Sequence, residues 1–228
     1  PFTTVAAVTP AAGYDPVAQF RHIGLIASGP LLWVGPQQAG ANSLGYWLER
    51  ARQRPGSVHY GSAGAGGINH LLLEWVKSRS GSPVNHVAYR GVAPALVDLV
   101  AGHIQLLTGT VPALLPYVRD GRVQPLAVST SERSAALTEV PGMRESSFPE
   151  IDVRNFFGLA APAGTPDERI ASLASALQAA LQSNAVRERL SAEALEAERA
   201  DPAATTRFIE ADAARWRSLV TRIDLRVD

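Results

Sequence analysis

The residue types best suited to chemistry lie in one string, Val58-His59-Tyr60-Gly61-Ser62-Ala63-Gly64-Ala65-Gly66-Gly67-Ile68-Asn69-His70-Leu71. A β-like start runs through four glycines into an apolar helical run. A glycine-rich turn between a strand and a helix bares several backbone N–H groups, and the helix macrodipole adds partial positive charge at the same place. The chemistry expected of such a turn is capture of an anion without a charged side chain. The plainer alternative is that the glycines only make a tight turn and a close helix–strand contact.

Other chemistries fit the string less well. Tyr60-Gly61-Ser62-Ala63-Gly64 resembles a Gly-x-Ser-x-Gly nucleophile elbow, but Tyr stands where the first Gly belongs and no histidine partner is singled out by order or spacing. The five histidines, His22, His59, His70, His86 and His103, show no i, i+4 pairing and no carboxylate pair beside them, so no metal site is expected. His59 and His86 read as satisfied strand residues, whereas His70, in the first turn of the following helix, either faces whatever the turn holds or simply lies on the helix surface. Gly61-x-x-Gly64-x-Gly66 runs the dinucleotide fingerprint with its spacings reversed, and the next strand ends in Tyr89-Arg90 rather than an acidic residue. Arg90 suits a phosphate, so a nucleotide-dependent α/β enzyme using residues 61–67 as a phosphate cradle stays as the alternative. Small-anion binding needs only bare N–H groups and a few hydroxyls. Ser62, Gly64, Gly66, Gly67, Tyr89, Gly91, Ala93, Thr108 and Thr110 supply them.

The chain that must position these groups has 228 residues, 46% hydrophobic and 18% charged, enough for one large domain or two small ones with a real core. Lys plus Arg and Asp plus Glu are both 21, which argues against a general nucleic-acid binder. No apolar run is long enough to span a bilayer. Without cysteine there are no disulfides, thiolate nucleophiles or thiolate metal sites. The first residue is Pro1, which reads as a processed or trimmed chain from which a targeting segment is absent.

Strands and helices alternate through the middle of the chain. Strands are expected at 58–62, 84–89, 104–108 and 123–129, with helices at 68–77, 93–101 and 112–118 between them. This implies a parallel sheet with helices on its faces, whose ligands bind beyond the carboxyl ends of the strands. The turns at 61–67, 89–93 and 108–110 all fall at such ends and should converge. Upstream, 1–22 reads as a strand remnant and a turn-rich loop, 23–27 and 31–34 as two short strands parted by Ser28-Gly29-Pro30, and Ser43 as the N-cap of a helix from Leu44 to about Arg54. Downstream, 131–155 is irregular, 156–161 is a strand, and Thr165-Pro166-Asp167-Glu168 starts a helix with Thr165 as N-cap and Glu168 completing a capping box. Asn184 caps a second helix, Asp201-Pro202 starts a last one, and the polar tail 221–228 is expected to fray.

These residues resemble the solute-binding receptors of the tripartite tricarboxylate transporters, the Bug-type periplasmic binding proteins. The likeness is carried by Tyr60-Gly61-Ser62-Ala63-Gly64 with Gly66 and His70-Leu71, and by Tyr89-Arg90-Gly91-Val92-Ala93-Pro94-Ala95 with Asp98-Leu99 and Gly102. It continues through Gly121-Arg122-Val123, Leu126-Ala127-Val128, Glu132-Arg133-Ser134-Ala135-Ala136-Leu137, Val140-Pro141, Phe157-Gly158-Leu159 and Pro162-Ala163-Gly164-Thr165-Pro166, with Tyr14-Asp15-Pro16 and Phe20 near the start. The resemblance implies an α/β, type II-like periplasmic binding fold of two lobes, with parallel or mixed sheets flanked by helices and a small carboxylate in the cleft between them. Residues 28–153 would form the second lobe, and 1–27 with 154–228 a partial first lobe. It also implies a periplasmic receptor that is no enzyme, needs no cofactor and delivers its ligand to membrane permease subunits. The ligand would meet Ser62, Ala63, Gly64, Gly66, Gly67, His70, Tyr89, Gly91, Val92, Ala93, Thr108 and Thr110. A regulatory role, sensing ligand for a signalling protein, is not distinguished by these residues.

Two departures from the family pattern carry expectations of their own. The family normally begins with a strand–helix–strand–helix stretch that this chain lacks, so the first lobe is expected to be incomplete, with an open sheet edge, exposed apolar surface, self-association there and weak or no ligand binding by these residues alone. At Thr108-Gly109-Thr110 and at Gln105, relatives usually carry acidic residues, so a plain carboxylate is favoured over an amino acid.

Overall fold

A computed structural model describes residues 2–9, 12–38, 40–199 and 201–225. The chain divides into two compact units, Pro1–Gly29 with Asn155–Asp228, and Pro30–Arg154.

The chain opens with helix α1 (Phe2–Val8), where a strand is expected from Val5 and Val8. Tertiary contacts override that weak local preference: Thr3, Thr4 and Val8 are buried, and the Thr3 hydroxyl donates to Asp212 Oδ2 at 2.5 Å. Within the expected turn-rich patch that follows, Pro10 and Ala11 lie outside the described residues. The two short strands expected next are one, β1 (Phe20–Pro36), buried almost throughout from His22 onward. Gly29 does not break it, because a Cβ there would lie 2.9 Å from the Ala194 carbonyl oxygen. Pro30 falls between Ser28, which pairs with Glu196, and Leu31, which pairs with Thr110.

Pro30–Arg154 continues with α2 (Leu44–Gln53), β2 (His59–Ser62), α3 (Ile68–Ser80), β3 (Asn85–Ala88), α4 (Val92–Val100), β4 (Leu106–Thr110), α5 (Val111–Arg119) and β5 (Val123–Val128). The sheet order is β3-β2-β4-β1-β5. β2 runs parallel to β3 and β4, as the alternation of strand and helix requires, but β1 lies antiparallel between β4 and β5, so the sheet is mixed. Trp33, Trp47, Tyr60, Leu71, Leu72, Leu99 and Leu106 are fully buried in its core. Ser43 caps α2 through a hydrogen bond from Tyr46 N–H.

The other unit adds β6 (Arg154–Pro162), α6 (Asp167–Gln182), α7 (Asn184–Ala192), a two-residue β7 (Glu196–Ala197) and α8 (Pro202–Arg222). β1 pairs with β6 and, antiparallel, with β7. Thr165 does not cap α6: the first helical bond runs from Ile170 N–H to the Pro166 carbonyl at 3.1 Å, so Pro166 holds the cap position without a side-chain bond, and Ser183 rather than Asn184 precedes α7. Asp201 does cap α8, accepting from Ala204 N–H. Asp212, inside α8, also accepts from the Trp216 indole at 3.1 Å and from Arg215. Beyond α8, residues 226–228 lie outside the described residues.

Candidate functional site

Because β3, β2 and β4 are adjacent and parallel, their carboxyl ends share one edge of the sheet, with Ser62 level with Ala88 and Gly61 level with Leu107. The three turns leave that edge together, and each starts a helix. α3 starts after Gly67, α4 after Gly91 and α5 after Thr110, all without a side-chain cap, whereas α2 and α8 have one. The first amides of an α-helix have no intrahelical acceptor. The ladder of α3 begins only with Leu71 N–H on the Gly67 carbonyl, 3.1 Å away. Gly91, with φ of 113°, adopts a backbone that side-chain-bearing residues rarely reach, and this aims the start of α4.

Beneath the edge lies a buried polar frame that sequence reasoning did not find. Tyr60, wholly buried, donates its hydroxyl to the Asn69 carbonyl at 2.7 Å and touches Thr108 Oγ1. Burial pushes the Tyr60 phenol well above its ordinary range. The Asn69 amide donates to the Thr108 carbonyl at 2.7 Å and to its hydroxyl at 2.9 Å. Two hydrogen bonds from one side chain thus tie the start of α3 to the end of β4.

This changes the standing of several expected ligand residues. Thr108 is fully buried, and both of its oxygens are taken by the frame, so it supports the surface instead of lining it. Not every N–H in the glycine turn is bare: Gly64 N–H donates to Ser62 Oγ at 3.2 Å and Gly66 N–H to His70 Nδ1 at 3.1 Å. Ser62 is itself buried. Gly61 serves packing, as the plainer reading has it, because a Cβ there would come 2.6 Å from Ile104 Cδ1 and 3.2 Å from Ala95 Cβ. Gly64 and Gly66, with φ of 143° and 73°, serve the shape of the turn. Tyr89 is half-buried and hands its hydroxyl to Asp98 Oδ2 at 2.7 Å; burial and that carboxylate push the phenol up to about 12. Ala63 and Ala93 are exposed, and Gly64, Gly67, Gly91, Val92 and Thr110 partly so.

His86, read as an ordinary strand residue, belongs to the same cluster. Its ring stacks on that of His70 with centroids 3.8 Å apart, and its Nε2 lies 2.6 Å from Ser62 Oγ. A serine beside a histidine invites a nucleophile–base reading. Burial, with His70 and Lys77 adding to it, lowers His86 to about 4, which makes it a poor base at neutral pH, and Ser62 has no exposed surface. Among the described residues no group of three or more metal-capable side chains gathers. Alternating residues along β3 place His86 on a face but carry no sign that a ring from α3 waits there.

The layout is that of an α/β protein which binds at the carboxyl edge of its sheet. Residues 1–225 match the model of the tripartite tricarboxylate transporter family receptor, and the chain belongs to that family. It is 30% identical over 220 residues to Protein BugT of Bordetella pertussis, covering 96% of this chain and 68% of that one. The solved structure titled R. palustris Rpa4515 with adipate superposes with a TM-score of 0.89 at 30% identity, over 99% of this chain and 76% of that one. MatC from Rhodopseudomonas palustris with bound malate gives a TM-score of 0.84 at 25% identity, over 96% and 75%. This chain is therefore shorter than each of these relatives. The family is one of periplasmic solute-binding receptors and not of enzymes, which leaves the nucleotide-dependent enzyme alternative without support. No helix among the described residues is long and apolar enough to cross a membrane.

Proposed function

We propose that this protein is a receptor that captures a small carboxylate in the periplasm for the membrane permease of a tripartite tricarboxylate-type transporter. The observation that carries the reading is the convergence of three helix starts, after Gly67, Gly91 and Thr110, on one sheet edge with no side-chain caps of their own. Amides there offer a carboxylate hydrogen bonds and the positive ends of three macrodipoles, which suits a chain with no net charge. The carboxylates named in the titles of two relatives, adipate and malate, are of the class such a surface accommodates. Ala63, Gly64, Gly67, Gly91, Val92, Ala93 and Thr110 would meet the ligand, with Ser62, Gly66, His70, Tyr89 and Thr108 behind them.

Calorimetry with adipate and malate, and with a nucleotide as control, tests this. Heat of binding is expected for a carboxylate and none for the nucleotide. Val92→Pro isolates the amide contribution: Val92 is the first residue of α4, where proline fits the helix but has no N–H. The substitution should weaken carboxylate binding about tenfold, the worth of one hydrogen bond to a charged group, at unchanged melting temperature. Equal affinities for Val92→Pro and wild type would remove the α4 amide from the site.

Self-association belongs to the same proposal. β6 is exposed along most of its length, and Phe157 and Leu159 are 45% and 43% exposed beside a groove of about 390 Å³ lined by Leu25, Ile26 and Ile209. A strand that is both apolar and open at its edge recruits another strand. Light scattering of the purified chain should show a dimer or larger species that Leu159→Lys returns to monomer; a monomeric wild type would dismiss the idea.

A further inference from the structure

The stack of His70 on His86 grips both arms of the glycine turn. The rings are nearly parallel, 10° apart. From α3, His70 Nδ1 accepts the Gly66 N–H at 3.1 Å. From β3, His86 Nε2 meets the Ser62 hydroxyl, which accepts the Gly64 N–H and sits 3.0 Å from the Gly64 carbonyl. With the Gly64 and Gly66 amides bonded in this way, positions 63, 64, 65 and 67 of the turn keep some solvent exposure. The charged groups that face the stack are Glu74, whose Oε1 is 3.7 Å from His70 Nε2, and Lys77, which pairs with Glu74 at 2.7 Å. From β2 the Tyr60 ring lies 6.3 Å from His86.

We propose that the stacked His70–His86 pair is the positioning element of the turn, holding residues 62–67 in their ligand-ready shape only while His70 Nδ1 carries no proton, so that acid releases the turn and with it the carboxylate. The functional half of this rests on the carboxylate reading above. A proton on Nδ1 would set one N–H donor against another at Gly66 and place a cation on a stacked ring within reach of Lys77. Burial lowers both histidines below their ordinary range, with Lys77 acting in the same direction and Glu74 opposing it for His70. The sign follows from linkage. With folded values below the unfolded one of about 6.5, the turn keeps its full stability above that pH and loses it as pH falls through the lowered folded values, that of His86 lying at about 4.

The test uses the whole chain and adipate. Adipate's own carboxyls titrate in the same window, so the comparison is with His70→Asn, whose side-chain oxygen stands where Nδ1 was and takes no proton there. Between about pH 7.5 and about pH 4.5, wild type should lose roughly threefold to tenfold more affinity than His70→Asn. His70→Phe keeps a stacked ring without the acceptor and should bind about tenfold more weakly already at neutral pH. In ligand-free protein, the hydrogen-exchange protection of the Gly66 amide should fall on acidification in wild type but not in His70→Asn. Parallel pH profiles together with Gly66 protection indifferent to His70 would overturn the proposal. If no carboxylate binds at any pH while Gly66 protection still follows His70, the carboxylate reading fails and the positioning role stands.

Discussion

Replacing Asn69 with alanine should lower the melting temperature by roughly 5–15 °C and weaken carboxylate binding more than tenfold. The side chain is 8% exposed and sends both donors of its amide to Thr108. Without it the Thr108 carbonyl is left buried and short of a partner, a loss of about 2–4 kcal/mol by the usual cost of unsatisfied groups. Asn69 is also the second residue of α3, so the same bonds hold the start of that helix against the end of β4. Asn69→Asp, nearly identical in shape, should do at least as much damage at neutral pH, because it turns an acceptor toward an acceptor. Differential scanning calorimetry and titration with adipate read both effects. An alanine variant with native melting and native affinity would mean that the frame beneath the site is dispensable.

A second large effect is expected at Gly142, in the irregular stretch after β5. Here the chain doubles back so closely that a Cβ on Gly142 would press on the Ser131 carbonyl oxygen and come 2.7 Å from the Glu132 carbonyl carbon. Both are backbone atoms and cannot swing away. Relief would part the two arms and break the bond from Met143 N–H to the Thr130 carbonyl, 2.8 Å, lifting the fully buried Met143. Gly142→Ala should therefore cost about 3 kcal/mol, as overpacking against rigid neighbours does, and drop the melting temperature by roughly 6–12 °C. A shift of only a degree or two would show that the doubled-back stretch adjusts freely.

The part of the fold legible in the sequence is the part built from local rules. β2, α3, β3, α4, β4, α5 and β5 each follow from period, punctuation and spacing, and two of the caps, Ser43 and Asp201, follow from their side chains. The misreadings share a physical reason. Ser28-Gly29-Pro30 has the composition of a break, yet it continues β1, and Gly29 lets the Ala194–Leu195 backbone approach. α1 is helical because Thr3 has a buried carboxylate to bond on α8, more than two hundred positions away. Neither fact is written in neighbouring residues.

The same division runs through the site. Which turns gather follows from strand order, since β3, β2 and β4 are parallel neighbours. Which atoms inside a turn face outward does not. Gly64 and Gly66 look alike to Gly67 in sequence, yet their amides are consumed by Ser62 and His70. Thr108 looks like an available hydroxyl and is the hub of the buried frame. His86 looks like strand filler and closes the cluster by stacking on a residue from another element.

The antiparallel strand at the heart of the sheet bears on how the chain reaches its fold. β1 is made before its neighbours: Leu31 pairs with Thr110 and Leu32 with Val128, which follow it by about eighty to one hundred residues. Its other partners, β6 and β7, come later still. Contacts this distant in sequence make the folding nucleus slow to close. An emerging chain must therefore carry residues 31–36 unpaired until β4 and β5 have been made, and Ala27–Ser28 until β7 follows. That delay keeps the polypeptide open to holding factors, and it makes residues 20–36 the segment most exposed to aggregation before the sheet is complete.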